Sequence, residues 1–334
     1  MKSRTTILFI LFTAAVAVLF AADIAVGAVS IPIRDVWAAL TGGECDPTIA
    51  RIIRDIRLMK AVVALVAGAA LAVSGLQMQT LFRNPLAGPY VLGVSSGASL
   101  GVALFILGAP MLGLTGHAWL SSLGVAGAAW IGAAATLALV AAISTRIKDI
   151  MVILILGMMI SSGVSAIVQI LQYLSAEEAL KSFVVWTMGS LGDVTATQLA
   201  LLLPAVAAGA ALGVAAIKSL NMLLLGENYA RSMGLDLRRS RSIILLSTTL
   251  LAGTVTAFCG PIGFIGLAMP HVARVIFRNA DHRTLMPAAA LTGAASLLLC
   301  DMVAKLLALP VNSITALLGI PVVIWVVVRN RNIV

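Results

Sequence analysis

The chain has 334 residues, of which 61% are hydrophobic and only 10% are charged, against about 25% charged in an ordinary soluble domain. No soluble fold has enough interior for that much apolar surface, so part of it must face lipid. This excludes a soluble enzyme, a disordered chain and a nucleic-acid-binding protein. The net charge of +9 comes from 22 Lys and Arg that are spread between apolar runs, a pattern typical of membrane topology signals.

Ten apolar stretches, bounded by charges or by Pro and Gly clusters, predict ten transmembrane helices. They are 5–28, 58–80, 90–108, 118–142, 150–173, 195–217, 242–258, 261–277, 285–308 and 312–329. Lys2 and Arg4 precede the first stretch as in a signal peptide, but its apolar run is too long for one, so we interpret it as an uncleaved span. The eighth stretch is short and contains Pro270 and His271.

The distribution of cations between the spans predicts the orientation of the chain. With the N-terminus inside, 15 of the 22 Lys and Arg lie in inner segments and 7 in outer segments. We therefore expect both termini to be cytoplasmic. The outer cations are Arg34, Arg51, Arg54, Arg57, Lys60, Lys181 and Lys305. Five of them belong to the first outer loop, which contradicts the usual bias and predicts a function for that loop.

Two segments between spans are longer than a simple connection requires. Residues 174–194, on the predicted outer side, are long enough for a short surface helix. Residues 218–241, on the predicted inner side, contain Gly226 and Gly234 on either side of a polar turn. This second segment predicts two short helices at the cytoplasmic surface, where ordered sequence in excess usually meets a partner.

The sequence lacks the motifs that several kinds of chemistry require. No Walker A pattern is present, so any ATP site must belong to another subunit. Acidic residues are scarce in the middle of the spans, which argues against an ion-coupled secondary transporter. None of the three cysteines forms a CxxC pair. Cys259 and Cys300 are interpreted as small apolar residues of helices, whereas Cys45 lies in a loop and could be a free thiol or a lipidation site.

Residues 93–97 match GxSxG, the nucleophile elbow of hydrolases, with Ser95 or Ser96 as the nucleophile. That motif requires a strand–turn–helix context with a base within reach, and here it begins a membrane helix. We interpret these glycines as a helix-packing face, like the other small residues of the spans. His271 is interpreted as a hydrogen-bonded structural histidine, because no second metal ligand lies at helical spacing.

Six motifs that occur in order over most of the chain carry a family resemblance. They are QTLFRNPLAGPYVLGVSSGASLG at 79–101, WTMGSL at 186–191, GENYARSMG at 226–234, GPIGFIGLAMPHVAR at 260–274, DHR at 281–283 and ITALLGIPVVIW at 314–325. Together they resemble the permease subunit of ABC importers for iron-siderophore complexes, haem and cobalamin. The resemblance implies an all-α polytopic fold with ten spans, forming a single transmembrane domain over 1–334. It also implies a homodimer in the cell inner membrane, two ATPase subunits beneath it, a substrate-binding protein above it, and no cofactor.

In such permeases the inner segment after the sixth span docks into the ATPase. The residues of this chain that match the core of that segment are Glu227, Tyr229, Arg231, Ser232 and Gly234. The resemblance therefore implies that 226–234, within 218–241, couples ATP hydrolysis to transport. A solvated surface pair is the alternative interpretation of Glu227 and Arg231.

The resemblance also implies an outer basic pocket that receives acidic residues of the binding protein. Its positions are Arg57, Lys60 and Lys305 here, and the two lysines stand where the family usually has arginine. A lysine lacks the bidentate fork of arginine, so the sign of the pocket is kept but its geometry is in doubt. Cations that snorkel to the membrane interface are the alternative. Ala308 stands where the family usually has an acidic residue, so that contact is absent.

The resemblance implies a substrate path along the dimer axis, lined mainly by the fifth and tenth spans, and the candidate residues lie in the fifth. Met158, Ser161, Ser165 and Gln169 are its candidate residues, and the last three recur every four residues and so share one helix face. Hydrogen bonding between helices is an equally good interpretation of this stripe. The sequence thus predicts import of a ferric siderophore or related chelate, with cobalamin or haem as alternatives and a secondary transporter or an embedded hydrolase as rivals from other classes.

Overall fold

The computed structural model describes residues 2–27, 29–108, 122–144, 147 and 150–329, and this part of the chain contains helices and no strand. The helices are α1 (Lys2–Ala25), α2 (Ile33–Thr41), α3 (Pro47–Leu81), α4 (Val94–Gly108), α5 (Ser122–Ser144), α6 (Ile150–Leu174), α7 (Glu177–Thr187), α8 (Ala196–Ala215), α9 (Ile217–Leu223), α10 (Glu227–Ser232), α11 (Leu237–Cys259), α12 (Ile265–Phe277), α13 (His282–Leu307) and α14 (Val311–Arg329).

The all-α polytopic architecture predicted from the sequence is confirmed. Among the described residues, six helices are long and apolar enough to cross a membrane, namely α1, α3, α6, α8, α11 and α13. The helices α4, α5, α12 and α14 are shorter and apolar. These ten helices correspond to the ten predicted stretches, of which residues 28 and 118–121 lie outside the described residues. The surface helix expected within 174–194 is α7, and the two short helices expected within 218–241 are α9 and α10.

The helix boundaries differ from the apolar windows where capping and turn residues intervene. α3 begins at Pro47, whereas the predicted apolar stretch begins at residue 58. The Asp46 carboxylate accepts a hydrogen bond from the Thr48 backbone N–H (2.7 Å) and so caps the helix at the earlier position. α4 begins after Gly93, whose φ of 79° belongs to a left-handed turn. Hydropathy detects the part of a helix that lies in lipid, and it does not detect a polar extension beyond the membrane.

The centre of the bundle is the pair α3 and α13, whose backbones approach at Gly68 and Gly293. A Cβ on either glycine would overlap the carbonyl of the other. Further along α3, a Cβ on Gly75 would overlap the carbonyl of Gly266 in α12. The close helix packing expected at small residues of the spans is therefore observed at Gly68, whereas Gly127 of α5 faces open space.

A buried polar junction joins α3 to α8 and α11. The Gln77 amide donates to the Ser247 hydroxyl (2.9 Å) and accepts from the Thr248 hydroxyl (2.9 Å), while Ser247 donates to the Gly209 carbonyl (2.7 Å). Interhelical hydrogen bonds of this kind hold spans in register where no hydrophobic force acts between them.

Candidate functional site

One end of the bundle, which we call the charged end, carries a compact cluster of two lysines and two aspartates from three helices. Lys60 of α3 lies 3.0 Å from Asp301 of α13, and Lys305 lies 2.7 Å from the other oxygen of Asp301. Lys305 also lies 2.9 Å from the carboxylate of Asp23 in α1 and donates to its backbone carbonyl at 3.1 Å. The cluster therefore ties α1, α3 and α13 together.

The four groups differ in their access to water. Both carboxylates are completely buried, the side chain of Lys305 is 8% exposed and that of Lys60 is 22% exposed. A buried carboxylate requires a partner because an uncompensated charge in the interior is costly. Lys305 serves both acids, whereas Lys60 serves only Asp301 and extends toward the surface. Lys60 is thus the member of the cluster whose side chain is most accessible to a group that approaches from outside.

A cavity of about 370 Å³ opens beside this cluster. Its wall includes Lys60, Lys305 and Asp301, together with Ser190 of the WTMGSL motif and the turn that contains Pro310. The cavity presents both ammonium groups next to a hydroxyl, which suits an acidic side chain entering from outside the bundle.

Arg57, the third basic residue predicted for this pocket, is placed elsewhere. Its guanidinium is buried and donates to the carbonyls of Ile24 (3.2 Å), Ala25 (2.7 Å) and Val29. The Ile24 and Ala25 carbonyls belong to the last turn of α1, where backbone acceptors lack a partner within the helix. Val29 lies in the segment that follows. The structure brings Lys60 and Lys305 together, and it uses Arg57 as the C-terminal cap of α1.

The acidic partners of the two lysines, Asp23 and Asp301, were not predicted from the sequence. A partial signal was available, since Asp301 and Lys305 are four residues apart and share a helix face. Nothing in the sequence indicated that Asp23 would join them.

The opposite end of the bundle, which we call the α10 end, carries the short helix α10. Two glycines with positive φ flank this helix, Gly226 (φ 100°) and Gly234 (φ 84°). Ala230 is fully buried and holds the helix against the bundle, while Tyr229 and Met233 are more than half exposed. An aromatic ring and a thioether on the solvent side of a short helix form an apolar contact surface.

The predicted coupling residues lie together on this short element. Arg231 and Ser232 are exposed, and the Ser232 hydroxyl donates to the Tyr229 carbonyl at 2.8 Å. Glu227 forms its ion pair with Arg241 of α11 at 2.5 Å rather than with Arg231. The pair joins α10 to α11, so the surface pair considered between Glu227 and Arg231 is not the one observed.

A chain of hydrogen bonds connects α9 to the core of the bundle. The Asn221 amide donates to Asp281 (2.6 Å), and its oxygen accepts from the His282 backbone N–H (2.9 Å) and lies 2.8 Å from His282 Nδ1. His282 Nε2 lies 2.9 Å from the Thr80 hydroxyl at the end of α3. The backbone N–H of Arg283 and the Asn221 amide lower the pKa of Asp281. Hydrogen bonds therefore join α9 to the start of α13 and, through His282, to the end of α3.

His271 is hydrogen bonded, as predicted for a structural histidine. Its Nε2 lies 2.7 Å from the Pro85 carbonyl, and Arg274 beside it donates to the Gln79 amide oxygen at 2.6 Å. In the described part of the chain no three His, Cys, Asp or Glu residues are grouped as metal ligands. The GxSxG segment begins α4, where Gly97 packs against α5.

The predicted path residues lie on α6, which is exposed along most of its length. Met158, Ser165 and Gln169 are exposed, whereas Ser161 is partly buried and donates to the Gly157 carbonyl at 2.8 Å. No side chain of 150–173 is charged. This face is open in a single chain, so its role as a path stays a prediction.

The similarity to known proteins extends over most of the chain. The model of the FecCD transport family matches residues 14–329. The hemin transport system permease protein of Yersinia pestis is 37% identical over 314 residues, which cover 91% of this chain and 90% of that protein. A vitamin B12 import system permease protein of Shigella boydii is 35% identical, over 88% of this chain and 89% of that protein. The molybdate import system permease protein of Haemophilus influenzae is 34% identical, over 85% and 83% respectively.

The fold has a counterpart among solved structures. A metal-chelate type ABC transporter in an inward-facing conformation superposes with a TM-score of 0.84 at 31% identity, and the match covers 97% of this chain and 99% of that one.

Proposed function

Because this chain belongs to the FecCD transport family, we propose that it imports a ferric siderophore or a related metal chelate in an ATP-driven system. The chain is a membrane permease of an ABC importer, not an enzyme, and a separate subunit supplies the ATPase in such importers. We propose that it forms one domain over 1–334, works as a homodimer in the inner membrane and has both termini in the cytoplasm. In this orientation the α10 end is cytoplasmic and the charged end faces outward.

The observation that carries the proposal is the exposed α10, linked to the bundle core through α9 and His282. A partner that pushes on Tyr229 and Met233 displaces a helix that is held by Ala230 and by the Glu227–Arg241 pair. The Asn221–His282 bonds then transmit that displacement to α3 and α13. Such a path suits an ATPase that works from one face of the membrane. We therefore propose the predicted coupling residues as the contact surface for two ATPase subunits.

For the charged end we propose docking of a substrate-binding protein through acidic side chains. Lys60 supports this role because it borders the cavity and has spare capacity for a carboxylate. Lys305 is mainly committed to the two buried acids, so its contribution is to keep the pocket positive. Arg57 is buried against the end of α1 and the segment after it, so we propose a structural role for it and not direct docking.

The nature of the substrate is proposed from the chemistry of the α6 face. The relatives are named for hemin, vitamin B12 and molybdate. A small oxyanion is usually selected by cations or backbone N–H groups along its route, whereas α6 offers Ser, Gln, Met and Gly without a charge. A mildly polar face suits a bulky chelate that must pass without being retained, and haem and cobalamin are its alternatives.

The test is uptake by proteoliposomes that contain the permease with its ATPase and binding protein. We expect ATP-dependent uptake of a radiolabelled ferric siderophore, with haem and cobalamin as parallel substrates. Uptake that proceeds without ATP and follows an ion gradient would instead establish a secondary transporter. Replacement of both Ser95 and Ser96 by Ala should leave uptake intact, since loss of function there would favour the hydrolase.

The coupling surface is tested separately with Arg231→Glu. We expect this variant to lose ATPase binding and uptake, because a reversed charge faces the partner at the centre of the contact. Arg278→Glu, an exposed arginine that follows α12 and lies outside α10, is the matched control and should retain both. Equal effects of the two substitutions would show that only the net charge of this end matters.

A further inference from the structure

The short helix α2 has two apolar faces, and the bundle covers only one of them. Val36 and Ala39 are buried, whereas Ile33, Trp37 and Leu40 are 78%, 70% and 39% exposed. The three exposed residues are spaced at i, i+4 and i+7, so they form one stripe along the helix. A helix of nine residues with a tryptophan on its open face requires an apolar or interfacial environment for that face.

Two arginines of α3 determine how far α2 lies from the membrane core. Arg57 binds the carbonyls that end α1, including Ala25 at 2.7 Å, and α1 is a span. One turn earlier, Arg54 donates to the carbonyl of Ala39 in α2 at 2.5 Å. Arg54 and Arg57 are three residues apart in the helical segment Ile52–Leu58, so α2 is held next to the end of α1. The headgroup layer begins where a span ends and is roughly 5–8 Å deep on each side, which is the layer in which we place α2.

The helix before α2 also exposes apolar side chains. α1 is buried along little of its length, and its exposed apolar residues include Ile10 and Val18. Val29, between α1 and α2 in the chain, is 60% exposed as well, so exposed apolar residues continue along the chain from α1 to Ile33. Arg34, exposed beside the stripe, projects about 100° around the helix from Ile33, a position from which a guanidinium reaches lipid phosphates.

From this position, pattern and continuity we propose that α2 is an interfacial membrane anchor, with Trp37 at the level of the lipid headgroups and Arg34 at the phosphates. Tryptophan is the side chain that favours this layer, since its ring is apolar and its N–H remains hydrated. The helix is joined to α1 through 26–32 and to α3 through Arg54. Its contact with lipid therefore sets the depth of both spans at the charged end. The proposal does not depend on the substrate or on any partner protein.

The test places a fluorescent probe on the stripe of the complete permease. Trp37→Cys in a Cys45→Ala background is labelled with bimane and reconstituted in vesicles of phosphatidylcholine and phosphatidylglycerol. Quenching is then compared for lipids that carry doxyl at carbon 5, lipids that carry doxyl at carbon 12, and aqueous iodide. Glu44→Cys, exposed in the loop after α2, is the matched control, and Ile33→Cys supplies a second probe on the same stripe.

We expect carbon-5 doxyl to quench the Trp37 probe at least about twofold more than carbon-12 doxyl or iodide, because an interfacial helix buries its apolar face only 5–10 Å. The Glu44 probe should be quenched by iodide alone. Quenching of the Trp37 and Ile33 probes by iodide and not by either lipid would place the stripe in water and overturn the proposal. Protection of both probes from all three quenchers would show that protein, such as a second copy, covers the stripe, and would overturn it equally.

Discussion

The two lysines of the charged end should have different roles, which Lys305→Met and Lys60→Met separate. Methionine keeps the length and apolar stem of lysine and removes the charge. In Lys305→Met, Asp23 loses its ammonium partner, and Asp301 retains only Lys60 at 3.0 Å. In Lys60→Met, both acids keep Lys305. The first substitution leaves a buried charge without compensation, and the second does not.

The magnitudes follow from burial. Removing one partner from a buried ion pair costs about 3–5 kcal/mol, and Asp23 and Asp301 have no exposed surface. We expect Lys305→Met to destabilise the permease by an amount in that range. Lys60 is 22% exposed and leaves no acid unpaired, so its loss should cost about 1 kcal/mol or less.

The assay is thermal unfolding of the purified permease, followed by tryptophan fluorescence, together with binding of the substrate-binding protein. Lys305→Met should lower the unfolding midpoint clearly, whereas Lys60→Met should hardly change it and should weaken docking. Lys305→Arg is the control and should retain stability, since it keeps the charge. Equal destabilisation by the two methionine variants would refute the asymmetry inferred from the structure. Unchanged docking in Lys60→Met would remove this residue from the proposed pocket.

Two further substitutions test the packing and the coupling path. Gly75→Ala should reduce the yield of folded permease, because its methyl group would overlap the Gly266 carbonyl. Gly127→Ala, whose methyl group would face open space, should be tolerated, and similar losses in both variants would contradict this account. Asn221→Ala should lower the uptake per ATP hydrolysed, because it removes hydrogen bonds to His282 that are worth about 1 kcal/mol each. Normal coupling of this variant in a reconstituted system would show that the link is not part of the path.

Much of the molecule was predictable because the membrane imposes a local rule on sequence. A span must be apolar over its own length, so all ten spans could be identified from neighbouring residues alone. The same holds for α7, α9 and α10, whose polar and glycine-bounded sequences distinguish them from the spans. The exposure of Tyr229 and Arg231 on α10 followed from the family motif around them. The first residues of helices, such as Pro47 of α3, were predicted less accurately, because the capping residue lies outside the apolar stretch.

The charged end depended on contacts that no local pattern contains. The sequence by itself determined that cations would gather there, but it could not show that Lys60 and Lys305 share Asp301 or that Arg57 would cap α1. Asp23 and Lys305 are 282 residues apart, and their meeting depends on how α1, α3 and α13 pack. That packing requires glycine at the contacts between Gly68 and Gly293. Hydropathy is a property of neighbouring residues along the chain, whereas the pairing of buried charges depends on contacts between helices. Only the tertiary structure could therefore distinguish Lys305, which supports the fold, from Lys60, which remains accessible to a partner.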